Sequence, residues 1–167
     1  MAHQLTHRTT AEFPAEQVYA VMVDPDYLKA RLERLGGPGA ALLSHHVDAN
    51  GARYELRHGV DANVVPPMVR SLVSGDLVIE RVETLVPTGS GRYDGTVSVR
   101  IPGTPASADG ALRLADVDGG SEFVVDASVT VKVPLIGGRI ESMVAEQIEG
   151  LLAQETAFTI DWLRQRG

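Results

Sequence analysis

The sequence predicts an α+β fold: seven strands in an antiparallel sheet, two short helices after the first strand, and a long helix at the C-terminus. Three observations predict it. The stretch from Gly137 to Arg164 keeps a helical period for many turns, with Ile140, Val144, Ile148, Leu151, Phe158 and Trp162 in one stripe flanked by Met143 and Leu152. Glu146, Glu149, Ala153, Ala157 and Arg164 take the opposite side, so one side needs a large cover. Upstream, short runs alternate apolar and polar residues, most regularly Phe123, Val125, Ala127, Val129, Val131 and Val133 against Glu122, Asp126, Ser128, Thr130 and Lys132. Between two such runs stands Asn50-Gly51, the signature of a two-residue type I′ hairpin.

The remaining elements follow in chain order. His3, Leu5, His7, Thr9 and Ala11 share one face of a first strand. Pro14 suits the first position of a helix whose inner face is Val18, Tyr19, Val21 and Met22. Asp24-Pro25 stops it and caps a second helix, Pro25 to Leu35, with Leu28, Leu32 and Leu35 inside and Gly36-Gly37 as its break. A turn centred on Asn50-Gly51 pairs Val47 with Tyr54, His45 with Leu56 and Leu43 with His58 on the apolar face, leaving Asp48, Arg53, His46 and Glu55 outside. Pro66 to Val73 reads as a short helix or lid segment bordering a cavity mouth.

The strand over residues 76–86 has no clean phase, since one face carries Glu80 and the other Arg81 and Glu83. Tyr93, Gly95, Val97, Val99 and Ile101 share the inner face of the next strand. The sixth presents Ala106, Ala108, Gly110, Leu112 and Leu114, and its small first half leaves space beneath the terminal helix.

Composition narrows the function. A length of 167 residues fits one domain, 1–167. A net charge of -7, with scattered Lys and Arg, argues against a nucleic-acid partner and an anionic membrane surface. The absence of cysteine excludes disulfides, thiolate catalysis and Cys-based metal sites. MAHQLTHRTTAEF has no apolar core of a signal peptide, and no run is long enough to span a membrane, so a cytoplasmic location without integral membrane contact is expected. No cofactor motif is found: there is no GxGxxG after a strand, no P-loop and no GxSxG elbow.

The order β-α-α-β6-α, with Pro14-Ala15-Glu16-Gln17-Val18-Tyr19, the Asp24-Pro25 break and KVPLIGGRIE leading into the last helix, resembles the START-like helix-grip superfamily of birch-pollen-allergen relatives, polyketide cyclases and lipid-transfer domains. Within it, DYLKARLERLGGPGAALLSHHV and VPLIGGRIE are similar to an uncharacterised actinobacterial branch. The resemblance implies a sheet closed with strand one beside strand seven, and an apolar ligand between sheet and helix. It carries no catalytic motif.

Glu155 is the most informative polar residue, because it falls inside the apolar stripe among Leu151, Leu152, Thr159 and Trp162 with no basic residue three or four positions away. Burial without a partner would raise its pKa and make it a donor or a general acid/base; the alternative is a place near the wide, wet end of the cavity or a pair with an inward strand charge such as Arg81. His45 is the second candidate catalytic group. His7, His45 and His58 with Glu155 have the chemistry of a metal site but no spacing that unites them, so no metal is expected. Lys29, Arg31 and Arg34 read as a solvated cluster.

Ligand contacts are expected from Glu155, Leu151, Ile148, Phe158, Tyr54, His45, His58, Tyr93, Leu112 and Met68. The predicted function is binding or transport of a small hydrophobic molecule, lipid or polyketide-like, by a monomer or weak homodimer. Two other classes fit the residues: a cyclase-, aromatase- or hydrolase-like enzyme using Glu155 and an inward His, and a protein-interaction module.

Overall fold

The computed structural model describes residues 2–61, 63, 65, 67–70 and 77–166. Its elements run β1 (His3–Ala11), α1 (Ala15–Met22), α2 (Pro25–Leu35), β2 (Ala41–Asp48), β3 (Gly51–Val60), α3 (Pro67–Arg70), β4 (Leu77–Gly89), β5 (Arg92–Arg100), β6 (Ala106–Val117), β7 (Gly120–Val131) and α4 (Gly137–Arg166). The strands form one antiparallel sheet in the order β1-β7-β6-β5-β4-β3-β2, so β1 pairs with β7 as the family resemblance implies. Of the anticipated lid segment α3 is described, and residues 66 and 71–73 lie outside the described residues.

Local chemistry explains the helix starts. Pro14 precedes α1 in an extended conformation, standing at the cap and not in the first turn, and has no side-chain acceptor to offer. Asp116, at the end of β6, supplies one: its carboxylate accepts the Ala15 N–H at 2.7 Å. Asp24 caps α2 by accepting from Asp26 N–H at 2.8 Å, with Pro25 at the first helical position.

The β2–β3 hairpin departs from the sequence expectation. Asp48 pairs with Gly51, so Ala49 and Asn50 form the turn, and Asp48 Oδ1 accepts the Asn50 N–H at 2.8 Å. Asn50 is not left-handed, as a type I′ turn would require. Gly51 instead has φ 141° inside the strand, where a Cβ would lie 2.6 Å from the Leu85 carbonyl oxygen of β4. The pairing slides by two residues, placing Val47 opposite Ala52 and His45 opposite Tyr54, which preserves the faces. A bulge between Leu42 and Ser44 then gives Leu42 the inner position expected of Leu43, which is 42% exposed.

In β4 the charged face is the inner one: Leu77, Arg81, Glu83 and Leu85 are buried and Glu80 is exposed. Helix α4 packs principally along β1 and β7 and touches α1 and α2. Glu141 ties its start to the sheet by accepting the Val131 N–H at 2.8 Å. The most buried line of α4 runs through Ile140, Glu141, Ala145, Leu152, Glu155, Thr159 and Leu163, whereas Val144, Ile148, Phe158 and Trp162 flank it half-buried. Glu155 thus occupies the centre of the covered face.

Candidate functional site: a cavity with a buried ionic end

Between the sheet and α4 is a cavity of about 150 Å3. Helix α4 packs on the β1–β7 side of the sheet, and the small side chains of Ala11, Ala108 and Ala127 in the lining leave the gap unfilled. Leu112, Val125, Val97, Val99, Val144, Ile148 and Leu151 provide apolar wall. At one part of the wall stand Arg31, His58, Arg81, Glu83, Glu155 and Thr159.

These polar groups form a connected system. Arg81 donates from Nη1 to Glu155 Oε2 at 2.9 Å and from Nη2 to Glu155 Oε1 at 3.0 Å, a bidentate pair, while its Nε donates to Glu83. The Tyr54 hydroxyl donates to the other Glu83 oxygen at 2.8 Å. Arg31 brings a second guanidinium to 3.7 Å from Glu155. Thr159 Oγ1 donates to the Glu155 backbone carbonyl at 2.9 Å and makes a short contact with the Tyr27 hydroxyl. The network joins α2, β3, β4 and α4 across the hollow.

Electrostatics follow from that geometry. Burial alone would push the Glu155 carboxyl up, but the Arg31 and Arg81 guanidiniums outweigh it and hold the pKa down at about 2. Of the two readings of Glu155, the unpartnered one with a raised pKa is corrected and the pair with Arg81 is the one observed: Glu155 is an ion-paired carboxylate, and so weak a base is poorly matched to proton transfer near neutrality. Both arginines are raised, since burial disfavours their charge but Glu155 more than offsets it. His58, pushed down to about 4 by burial and by Arg81, is neutral at physiological pH. Two cations and two anions leave the cluster balanced.

The remaining anticipated residues are distributed more widely. Glu155, Leu151, Ile148, His58 and Leu112 line the cavity. Tyr54 is fully buried one step behind it, reaching the wall through Glu83. His45 faces inward but engages the Val23 carbonyl with Nε2 at 2.6 Å, off the cavity wall and apart from Glu155. Tyr93 stacks on Tyr19 with ring centroids 4.1 Å apart. Phe158, half-buried and off the cavity wall, packs with Tyr27 and Trp162, and the Met68 side chain lies outside the described residues. His7 meets Thr9 Oγ1 at 2.9 Å, and no cluster of three or more metal-ligating side chains occurs among the described residues.

Residues 6–163 match the family described as protein of unknown function (DUF2505). The chain belongs to DUF2505. This DUF2505 chain is 28% identical over 159 residues to uncharacterized proteins of Mycobacterium tuberculosis and Mycobacterium bovis, covering 91% of either partner. These relatives agree with the actinobacterial branch.

Among solved structures, a protein from Thermus thermophilus superposes with a TM-score of 0.65 at 13% identity over 99% of both chains. Ara h 8.0201 gives 0.55 at 12% over 96% of this chain and 99% of its own. A START superfamily protein from Mycobacterium smegmatis gives 0.52 at 13% over 99% of both. The DUF2505 chain has the START-like helix-grip fold.

Arg31 is the wall residue that sequence reasoning missed. Grouped with Lys29 and Arg34 it reads as solvated, yet it is 4% exposed. Its helical position was the available signal: Arg31 follows Leu28 by three residues and Tyr27 by four, and both are buried.

Proposed function

We propose that this DUF2505 chain binds a small, largely apolar molecule between its sheet and α4 and carries it without chemical change. The observation that supports this reading is the cavity of about 150 Å3, apolar over most of its wall and ionic at one part. An apolar cavity of about this volume is known to admit a single benzene ring, so the guest in this conformation is a ring or short chain and not a full-length lipid. Removing its apolar surface from water at roughly 25 cal/mol per Å2 drives binding. A carrier fits the ionic cluster better than an enzyme, because the Arg81 and Arg31 guanidiniums hold Glu155 as an ion-paired carboxylate.

Calorimetric titration of the full chain with benzene and with a long-chain alkane tests the proposal. Saturable one-to-one binding of benzene, with a negative heat-capacity change and no binding of the alkane, is expected. Absence of benzene binding contradicts it.

A further inference from the structure

Three buried polar atoms on the cavity-lining side chains have no hydrogen-bond partner among the described residues: Arg31 Nε, Arg31 Nη2 and His58 Nε2. Arg31 is the unusual case. Its side chain is 4% exposed, and its Nε is 3.7 Å from Glu155, near enough for charge attraction but too far for a hydrogen bond. Arg81, carrying the same charge in the same cluster, has hydrogen bonds from Nε, Nη1 and Nη2. A buried guanidinium left with spare donors favours an acceptor that enters from the cavity, because an unmade hydrogen bond to a buried charged group is costly.

The charge count selects the kind of acceptor. Arg31 and Arg81 balance Glu83 and Glu155, so an anionic head group would add an uncompensated charge among buried side chains. A neutral oxygen adds none. Resting on the reading of the cavity as a binding site, we infer that the guest is a small ring or short-chain carbonyl compound, a ketone, ester or amide, whose oxygen accepts a hydrogen bond from Arg31. The apolar body then lies toward Leu112, Ile148 and Leu151.

Three matched probes test this on the full chain by calorimetry: cyclohexanone, methylenecyclohexane and cyclohexanecarboxylate. The ketone should bind about tenfold or more tightly than the isosteric alkene, and more tightly than the carboxylate, as expected for a hydrogen bond to a charged donor. In Arg31→Met the preference should vanish; because that change leaves one excess negative charge in the cluster, the charge-balanced pair Arg31→Met/Glu155→Gln provides a second variant, with affinities of ketone and alkene expected within about twofold. Equal binding of ketone and alkene by the unsubstituted chain overturns the inference and leaves the cavity reading standing. Tighter binding of the carboxylate, or a ketone preference that survives the double substitution, overturns it as well. Failure of all three probes to bind overturns the inference, and the cavity reading falls with it only where benzene also fails to bind.

Discussion

Arg81 on β4 grips Glu155 on α4 through two parallel hydrogen bonds of 2.9 and 3.0 Å, bridging 74 residues of chain inside the protein. The pair ties α4, which packs mainly on β1 and β7, to a strand outside those contacts. Breaking one partner of a buried pair typically costs about 3–5 kcal/mol, because the other charge remains. Glu155→Gln should therefore lower the unfolding free energy by about that amount in urea denaturation. Arg81→Met combined with Glu155→Leu leaves Arg31 with Glu83 and should be less destabilised than Glu155→Gln alone.

His58 should confer an acid sensitivity of its own. Its folded pKa of about 4 lies below the ordinary 6.5, because burial and Arg81 disfavour the imidazolium. The unfolded chain thus binds a proton first as pH falls, and stability present above about 6.5 is lost between 6.5 and 4, by roughly 3 kcal/mol. Glu155 acts lower down, its stabilisation being lost as pH falls below the ordinary carboxylate range toward 2. In His58→Gln, unfolding free energies measured from about pH 7 to 4 should lose most of the slope in that interval.

Filling the hollow should separate binding from folding. Ala127 lines the cavity and belongs to the core. Ala127→Leu should abolish benzene binding while changing stability by no more than about 1–2 kcal/mol in either direction, the balance of added burial against local crowding. Unaltered benzene affinity in this variant would place the guest elsewhere.

The β2–β3 turn gives a sharp contrast between neighbours. Gly51→Ala meets both a positive φ of 141° and the Leu85 carbonyl oxygen, so a cost of about 1–3 kcal/mol is expected in thermal or urea unfolding. Asn50→Ala touches neither constraint and should cost under about 0.5 kcal/mol. A type I′ turn would have made Asn50 costly too.

Most of the fold was legible because its signals are local. The Asp24-Pro25 cap, the alternation through β7 and the period of α4 each depend on residues close in sequence, and α2 begins and ends where its caps place it. The phase of β4 was not legible, since Arg81 and Glu83 are charged and only Glu155, Arg31 and Tyr54 from other elements make their burial tolerable. For the same reason Glu155 was recognisable as misplaced in its stripe while the sign of its pKa shift was not. Tyr93 and His45 do face inward as the alternation implies, but facing inward differs from reaching the cavity: Tyr19 and the Val23 carbonyl meet them first.

The central claim is that an apolar hollow separates α4 from the sheet. Diffraction from crystals pressurised with xenon addresses it directly, because xenon enters apolar voids and scatters strongly. A xenon site among Leu112, Val125, Ile148 and Leu151 is expected. Crystals without xenon there, with those four side chains in mutual van der Waals contact, would contradict the account.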